Sequence, residues 1–450
     1  MITRPSDGTY ASAERIVRTL QRGGHTALLA GGCVRDLLRG AQPADYDVAT
    51  SARPEEVEAL FERTQAVGRQ FGVILVLLDG RPYEVATFRR EWGYSDGRHP
   101  DGVLFCGPED DAARRDFTVN AMFWDPVTGE LLDFHDGQAD LARRLIRAVG
   151  EPEERFREDH LRLLRAVRFA ARLDFAIEVA TMHAIKSLAH LADRVSPERL
   201  QEELRIILTD RRPVAALRLM DELGLLTVIF PELADAKGCE QPENYHPEGD
   251  VFVHTLLTVE KLPPCPDFEL AMAALLHDVG KPAASRKGGP KCFPEHCRIG
   301  AEMSRAICRR LRLSNAETDH ICWLVERHLY FKDARKMRDS TLKRLFAHPG
   351  FERLAELHRA DALASWGNLE DYEYVMERRR TMPVEQVAPP PLISGHDLIA
   401  MGYRPGPLFA EVLAKVRDAQ LDGEVSTSED ARELAHRLAA QLGAGKEASG

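Results

Sequence analysis

Two short strings carry residues that can do phosphate chemistry. In the first, residues 28–50 (LLAGGCVRDLLRGAQPADYDVAT), Asp45 and Asp47 stand two apart. On a strand such side chains share a face, and paired carboxylates hold Mg²⁺, a cation that takes oxygen ligands and serves phosphoryl transfer. Ahead of them Gly31-Gly32 lets backbone approach a ligand closely. A short helix follows, and the amides at a helix N-terminus favour an anion. Arg35 adds charge-assisted bonds to that anion. In the second string, residues 271–282 (AMAALLHDVGKP), His277 and Asp278 close an apolar helix. Imidazole beside carboxylate suits a metal that activates water against a phosphoester.

The elements that must position these groups are legible in the spacing. Residues 28–30 form an apolar strand that stops at the Gly-Gly turn, residues 34–38 a short helix, and the acid pair a second strand. A helix over 12–22 packs Ile16, Val17 and Leu20 behind the first strand. Another over 53–61 takes Ser51 as N-cap and Pro54 in its first turn. Residues 71–78 and 82–88 make a hairpin about Asp79-Gly80, with Glu84 on the second strand. Residues 90–108 lack a period and read as a mobile loop that closes over a ligand, or as an exposed connection. The string RRDFTVNAM suits a strand or a strand-to-helix entry, and its Arg114, Arg115, Asp116 and Asn120 need partners once buried.

From Pro152 the pattern is one long helix. Leu161, Leu164, Val167 and Phe169 supply an apolar face, and Arg162, Arg165, Arg168 and Arg172 a basic ridge stepping by three or four. Asp159 lies three residues before Arg162, on the same side. Residues 196–208 form a further helix with Ser196 as N-cap and Pro197 at its start.

A chain of 450 residues has room for several domains. Its net charge of −11 excludes a globally basic coat, so RNA contact requires a local basic face. No long uncharged apolar run crosses a membrane. The N-terminus has no apolar core of a signal peptide, and eight scattered cysteines then point to reduced thiols and a cytoplasmic setting. Cys292 and Cys297 have poor zinc spacing and read as ordinary thiols.

GGCVRD followed by DYDVAT, with YEVATFR, RRDFTVNAM, EDHLRLLRAVRF and SPERLQEELRIIL, resembles the class II tRNA nucleotidyltransferases and poly(A) polymerases, the family of the CCA-adding enzymes. LLHDVGKP, with His254 upstream and Asp361 downstream, resembles the HD phosphohydrolase superfamily. The resemblance implies an α+β fold. An N-terminal polymerase-β-like mixed-sheet head (residues 1–148) is followed by an all-α neck (149–235), an HD domain (236–380) and a helical tail that contacts tRNA (390–445).

It also implies template-independent addition of CCA to tRNA 3′ ends from CTP and ATP, by two-metal nucleotidyl transfer with Mg²⁺ at the head. Asp45 and Asp47 would hold the metal, with Glu84 as third acid or as a structural residue. Gly32 and Arg35 would seat the triphosphate, and Arg115 the nucleotide and its ribose. Asp159 and Arg162, neighbours on one helix turn, would read the Watson–Crick edge of C and A, while Arg165 and Arg168 bind phosphates or stack. The 196–208 helix would brace that reader. In the HD domain, His254, His277, Asp278 and Asp361 would ligate a divalent metal, His296 and His328 a second metal or the substrate, and Lys281 a phosphate.

Three other readings share these motifs: a poly(A) polymerase or an enzyme adding only A or only CC, an HD phosphohydrolase with a vestigial head, and a non-catalytic RNA-binding protein. The tail holds more acids than bases, which argues against the basic extension expected of a poly(A) polymerase. The oligomeric state is left open.

Overall fold

Alternate residues of the strand opening the Gly-Gly motif face two different cores. In a computed structural model of the chain, Leu29 packs with Ile16, Val17, Val48 and Val85, whereas Leu28 and Ala30 pack with Ala49, Phe88 and Phe123. A sheet covered on both faces explains why the sequence there is continuously apolar rather than alternating. The structure describes the chain except Met1, Thr3, Ser6 and residues 94–101, 244–248, 290, 384–386, 388, 404–405 and 448–450. It divides into two compact units, Met1–Ala234 and Asp235–Gly450.

The first unit begins with α1 (Gly8–Arg22), capped by the Asp7 side chain, which accepts from Tyr10 N. Then come β1 (Ala27–Ala30), α2 (Gly32–Leu38), β2 (Asp47–Thr50), α3 (Pro54–Leu60), β3 (Thr64–Gly68), β4 (Val73–Leu78) and β5 (Arg81–Thr87). After β6 (Arg89–Trp92), β7 (Gly102–Phe105) and α4 (Pro108–Ala113), strands β8 (Met122–Trp124) and β9 (Leu131–Asp133) complete the main sheet. The order is β3-β4-β5-β2-β1-β8-β9. Only β2 and β5 run parallel among these pairs, with Val48 opposite Val85. That register sets Glu84 beside Asp47, one step before the Val48–Val85 pair. The β4–β5 turn has positive φ at both Asp79 (51°) and Gly80 (77°), as a two-residue hairpin requires.

Several expectations change. The second strand starts at Asp47, so Asp45 lies just ahead of it rather than on it. Ser51 does not cap α3, whose N-cap is Arg53; the Ser51 hydroxyl accepts from Thr26 N instead. Ser196 stands at its predicted N-cap position but makes no capping hydrogen bond. The segment read as a loop over 90–108 contains the antiparallel β6–β7 hairpin; its residues 94–101 lie outside the described residues.

The largest difference falls after Pro152. The single helix of the sequence reading is two, α6 (Pro152–Glu158) and α7 (Arg162–Leu173), after the short α5 (Gly137–Arg143). Asp159 between them is extended, with φ −139° and ψ 104°. Its own carboxylate accepts from Leu161 N at 3.1 Å, the local bond by which aspartate competes with helix. Helices α8 (Val179–Leu188), α9 (Pro197–Leu208), α10 (Pro213–Glu222), α11 (Leu225–Ile229) and α12 (Pro231–Ala234) finish the unit.

Among its described residues the second unit is helical apart from the isolated Glu240–Asp250 bridge. It runs α13 (Val251–Glu260), α14 (Phe268–Leu276), α15 (Lys281–Gly288), α16 (His296–Arg310), α17 (Asn315–Arg327), α18 (Asp339–Ala347), α19 (Phe351–Ala364) and α20 (Glu370–Thr381). Three tail helices, Gly395–Ala400, Pro407–Asp422 and Ser428–Glu447, close a small core around Leu398, Val412, Val416 and Ala435. Among the described residues no helix is long and apolar enough to cross a membrane, and all eight cysteines are free thiols.

Candidate nucleotide and metal sites

One cavity of about 520 Å³ in the first unit gathers the head and neck residues given a metal or nucleotide role from sequence: Gly32, Arg35, Asp45, Asp47, Glu84, Arg115, Asp159, Arg162, Arg165 and Arg168. Arg89, Arg114, Asp116, Asn120, Phe169 and Arg199 join them on its wall.

The acidic end is built by β2 and β5. Burial, then the neighbouring Glu84 and Asp45 carboxylates, push Asp47 up to about 7 against the pull of Arg115. Burial and two neighbouring carboxylates both disfavour the negative charge on Asp47 in the absence of a cation. The oxygens of these three carboxylates are the donor set that a hard divalent cation takes, so the residues fit the Mg²⁺ that the head motifs imply.

The glycine that the backbone requires is Gly31. Its φ of 72° lies in the left-handed region, and a Cβ there would stand 2.8 Å from Arg115 Nη1. A Cβ on Gly32 would meet only Arg35, at 3.7 Å, an ordinary contact. Gly31 also precedes α2, whose seven residues present Gly32 and Arg35 to the cavity. Arg35 is held bidentately by Asp36, at 2.9 and 3.0 Å. Arg115 donates to Asp111 Oδ2 from Nε and Nη2, at 3.3 and 3.1 Å, and lies over the Phe123 ring.

The two predicted reader residues do not share one helix turn. Asp159 and Arg162 both line the cavity, but the break between α6 and α7 gives each its own partner. Asp159 accepts from Arg199 at 2.9 and 2.8 Å. Arg162 donates to Glu158 Oε2 at 2.7 Å and to the main-chain oxygens of Arg155 and Arg114. The basic ridge of α7 is likewise matched in place. Arg165 meets Asp116 through Nε and Nη2, at 2.8 and 2.5 Å, and Arg168 meets Glu203 at 2.5 Å. Asp116 is almost fully buried; burial alone would raise its carboxyl, but Arg165 beside it and the bond from Asn120 hold it down at about 2. The Phe169 ring lies beneath the guanidinium groups of Arg35, Arg165 and Arg168.

Sequence reasoning gave Arg199 a bracing helix and no place in the cavity, and treated Phe169 as plain core. The signal for Arg199 was available: an arginine one turn inside a helix that also carries Glu203, the counter-charge for the ridge.

The second unit assembles the HD residues at the end of α14. His254 Nε2 is 2.9 Å from Asp361 Oδ1, and His277 Nε2 is 3.2 Å from Asp278 Oδ2. His254, His277 and Asp278 offer ligand atoms within 4.8 Å of one another, and His296, Cys297 and His328 form a second such group. The Nδ1 atoms of His277, His296 and His328 each contact the main-chain oxygen three residues back, at 2.8, 3.0 and 2.7 Å. A carbonyl only accepts, so those contacts put the proton on Nδ1 and leave Nε2 a lone pair for a ligand.

Asp278 faces both groups: Oδ2 is 3.7 Å from His254, while Oδ1 is 3.6 Å from His296 and 3.7 Å from His328. Both its oxygens are buried without a well-angled hydrogen bond, and so is His277 Nε2. Buried imidazole and carboxylate ligand atoms converging in this way fit a divalent metal. Lys281 is less free than the sequence suggested: its Nζ is 2.6 Å from Asp278 and bonds Gln241 at 2.5 Å. A cavity of about 150 Å³ opens here, lined by Asp278, His296, His328, Lys332 and Asp361 among others.

Comparison with known proteins assigns a family to the region that holds each site. Residues 27–147 match the family described as "Poly A polymerase head domain", residues 174–237 "Probable RNA and SrmB- binding site of polymerase A", and residues 251–366 "HD domain". The CCA-adding enzyme of Limosilactobacillus reuteri is 43% identical over 217 residues, covering 48% of this chain and 54% of that protein. The chain thus spans about half the length of the CCA-adding enzymes it matches at this level. An A-adding tRNA nucleotidyltransferase of Deinococcus radiodurans is 34% identical over 437 residues, covering 92% of this chain and 95% of the relative. The crystal structure of a Bacillus stearothermophilus CCA-adding enzyme in complex with CTP superposes with a TM-score of 0.72 at 29% identity, covering 97% of this chain and 99% of that one. The chain belongs to the class II tRNA nucleotidyltransferase family, with a poly(A)-polymerase-type head and an HD domain.

Proposed function

We propose that the protein completes tRNA 3′ ends by adding CCA from CTP and ATP. The observation that carries this reading is the head cavity, where three carboxylates and a set of fixed guanidinium groups line one space large enough for a nucleoside triphosphate. Asp45, Asp47 and Glu84 would hold Mg²⁺, which when bound supplies Lewis acidity for attack of the tRNA 3′-hydroxyl at the α-phosphorus. The chain's own residues do the rest. Gly31, Gly32 and the α2 amides approach the triphosphate, with Arg35 and Arg115 neutralising its oxygens. Asp159 presents an acceptor and Arg162 a donor to the base edge. Cytosine and adenine each offer an amino donor next to a ring-nitrogen acceptor; uracil and guanine reverse that order.

The HD site is read as a metal-dependent phosphohydrolase centre. His254, His277, Asp278 and Asp361 would hold one divalent ion, and His296 and His328 a second ion or the phosphoester. The tail helices would contact tRNA.

A second reading is favoured by the near full-length likeness to the A-adding enzyme: addition of the terminal A alone. Incubation with tRNAs lacking the whole CCA, lacking CA, or lacking only A, each with CTP or ATP, separates the two. CCA addition requires CTP incorporation on the shortest tRNA. Incorporation of ATP alone, on the tRNA ending in CC, selects the A-adding reading.

A further inference from the structure

Asn120 ends the turn Thr118–Asn120 and is only 6% exposed, yet three of its polar atoms are each met by a charged group of the head cavity. Oδ1 accepts from Arg35 Nη1 at 2.6 Å, Nδ2 donates to Asp116 Oδ1 at 3.1 Å, and the main-chain oxygen accepts from Arg115 Nη1 at 3.3 Å. A guanidinium only donates and a carboxylate only accepts, so these contacts also fix which way the amide points. Asp36 takes Nε and Nη2 of Arg35, leaving Nη1 as the edge that Asn120 secures. Asp116, on the other side of the amide, is the carboxylate that anchors Arg165 of α7.

We propose that Asn120 is a positioning residue for the phosphate-binding arginine. It orients Arg35 in the triphosphate seat and ties it to the Asp116–Arg165 pair, so that the seat and the neck helix keep one spacing. Aspartate at this position would lose the donor to Asp116, and a shorter side chain would lose both bonds. Asn120 itself does not need to touch the nucleotide. The inference rests on the reading of the cavity as a nucleotide site.

Inorganic tripolyphosphate tests it without turnover. Its binding to the full-length chain is measured by calorimetry for the wild type, Asn120→Ala, Asn120→Ser, Arg35→Ala and the double variant Arg35→Ala/Asn120→Ala. Asn120→Ser keeps a small polar side chain and guards against a failure to fold. Both Asn120 variants are expected to bind about tenfold more weakly, the worth of a charge-assisted bond. The double variant should bind no more weakly than Arg35→Ala alone, because Asn120 acts through Arg35. In turnover, KM for CTP should rise while KM for tRNA stays, a split that a general loss of structure does not produce. Binding by the Asn120 variants within about twofold of wild type, or additive losses in the double variant, would overturn the inference alone. A wild type that binds no tripolyphosphate overturns it together with the nucleotide reading of the cavity.

Discussion

Arg199 grips both oxygens of Asp159, Nη1 on Oδ1 at 2.9 Å and Nη2 on Oδ2 at 2.8 Å. Asp159 lies in the extended break between α6 and α7 and Arg199 on α9, and the fork-to-carboxylate geometry fixes the plane of the acceptor proposed to read the base. Arg199→Lys keeps the charge and loses the fork, so the preference for CTP over UTP should fall by about tenfold with tRNA affinity unchanged. The ratio of kcat/KM for the two nucleotides checks this; an unchanged ratio would mean that Asp159 is oriented by something else.

Glu203 and Arg168 form a buried pair, with side chains 5% and 9% exposed. Removing one partner leaves the other charged and nearly buried without its counter-charge. Glu203→Ala should destabilise the first unit by about 3 kcal/mol or more, and Glu203→Ala combined with Arg168→Met should recover much of the loss. Urea unfolding measures both; a single variant as stable as wild type would contradict the burial argument.

The low pKa of Asp116 sets an acid limit. Burial works against ionisation, and Arg165 with Asn120 overrides it, lowering the carboxyl from 3.8 to about 2. A depressed carboxyl contributes stability that is present above the unfolded value and lost as pH falls through the folded one. The contribution, about 2 kcal/mol, should be full above about pH 5 and gone only near pH 1, below both values. Asp116→Asn removes this term, so the stability gap between wild type and variant should narrow over that window. A gap independent of pH would contradict the assignment.

The two sites should separate by mutation. His277→Ala should abolish metal-dependent phosphoesterase activity while nucleotide incorporation stays within about twofold, because His277 belongs to the second unit and the head cavity to the first. Treatment with a chelator should stop both activities. Equal loss of incorporation in His277→Ala would refute the division of labour.

How much of this was legible in the sequence depended on the range of the interaction. The glycine turn and the HD dipeptide are local strings, and each lies where its spacing implied; the acid pair straddles the start of its strand, with Asp45 just ahead of it. Glu84 reached Asp47 through the parallel β2–β5 register, which no single stretch of sequence displays. The single helix expected through Asp159 and Arg162 is broken for the opposite reason. A helical period was extended across Asp159, whose side chain instead bonds Leu161 N and ends α6. The ridge of α7 read as free charge because its partners, Asp116 and Glu203, are 49 and 35 residues away in sequence.

The central claim is that the carboxylates at the head cavity carry nucleotidyl transfer. The most direct measurement is single-turnover incorporation of labelled CTP, with Mg²⁺, into a tRNA lacking its three terminal nucleotides, for wild type and Asp47→Asn. The account predicts incorporation by the wild type and a loss of about a thousandfold or more in the variant, with tRNA binding retained. Incorporation by Asp47→Asn at the wild-type rate would contradict it.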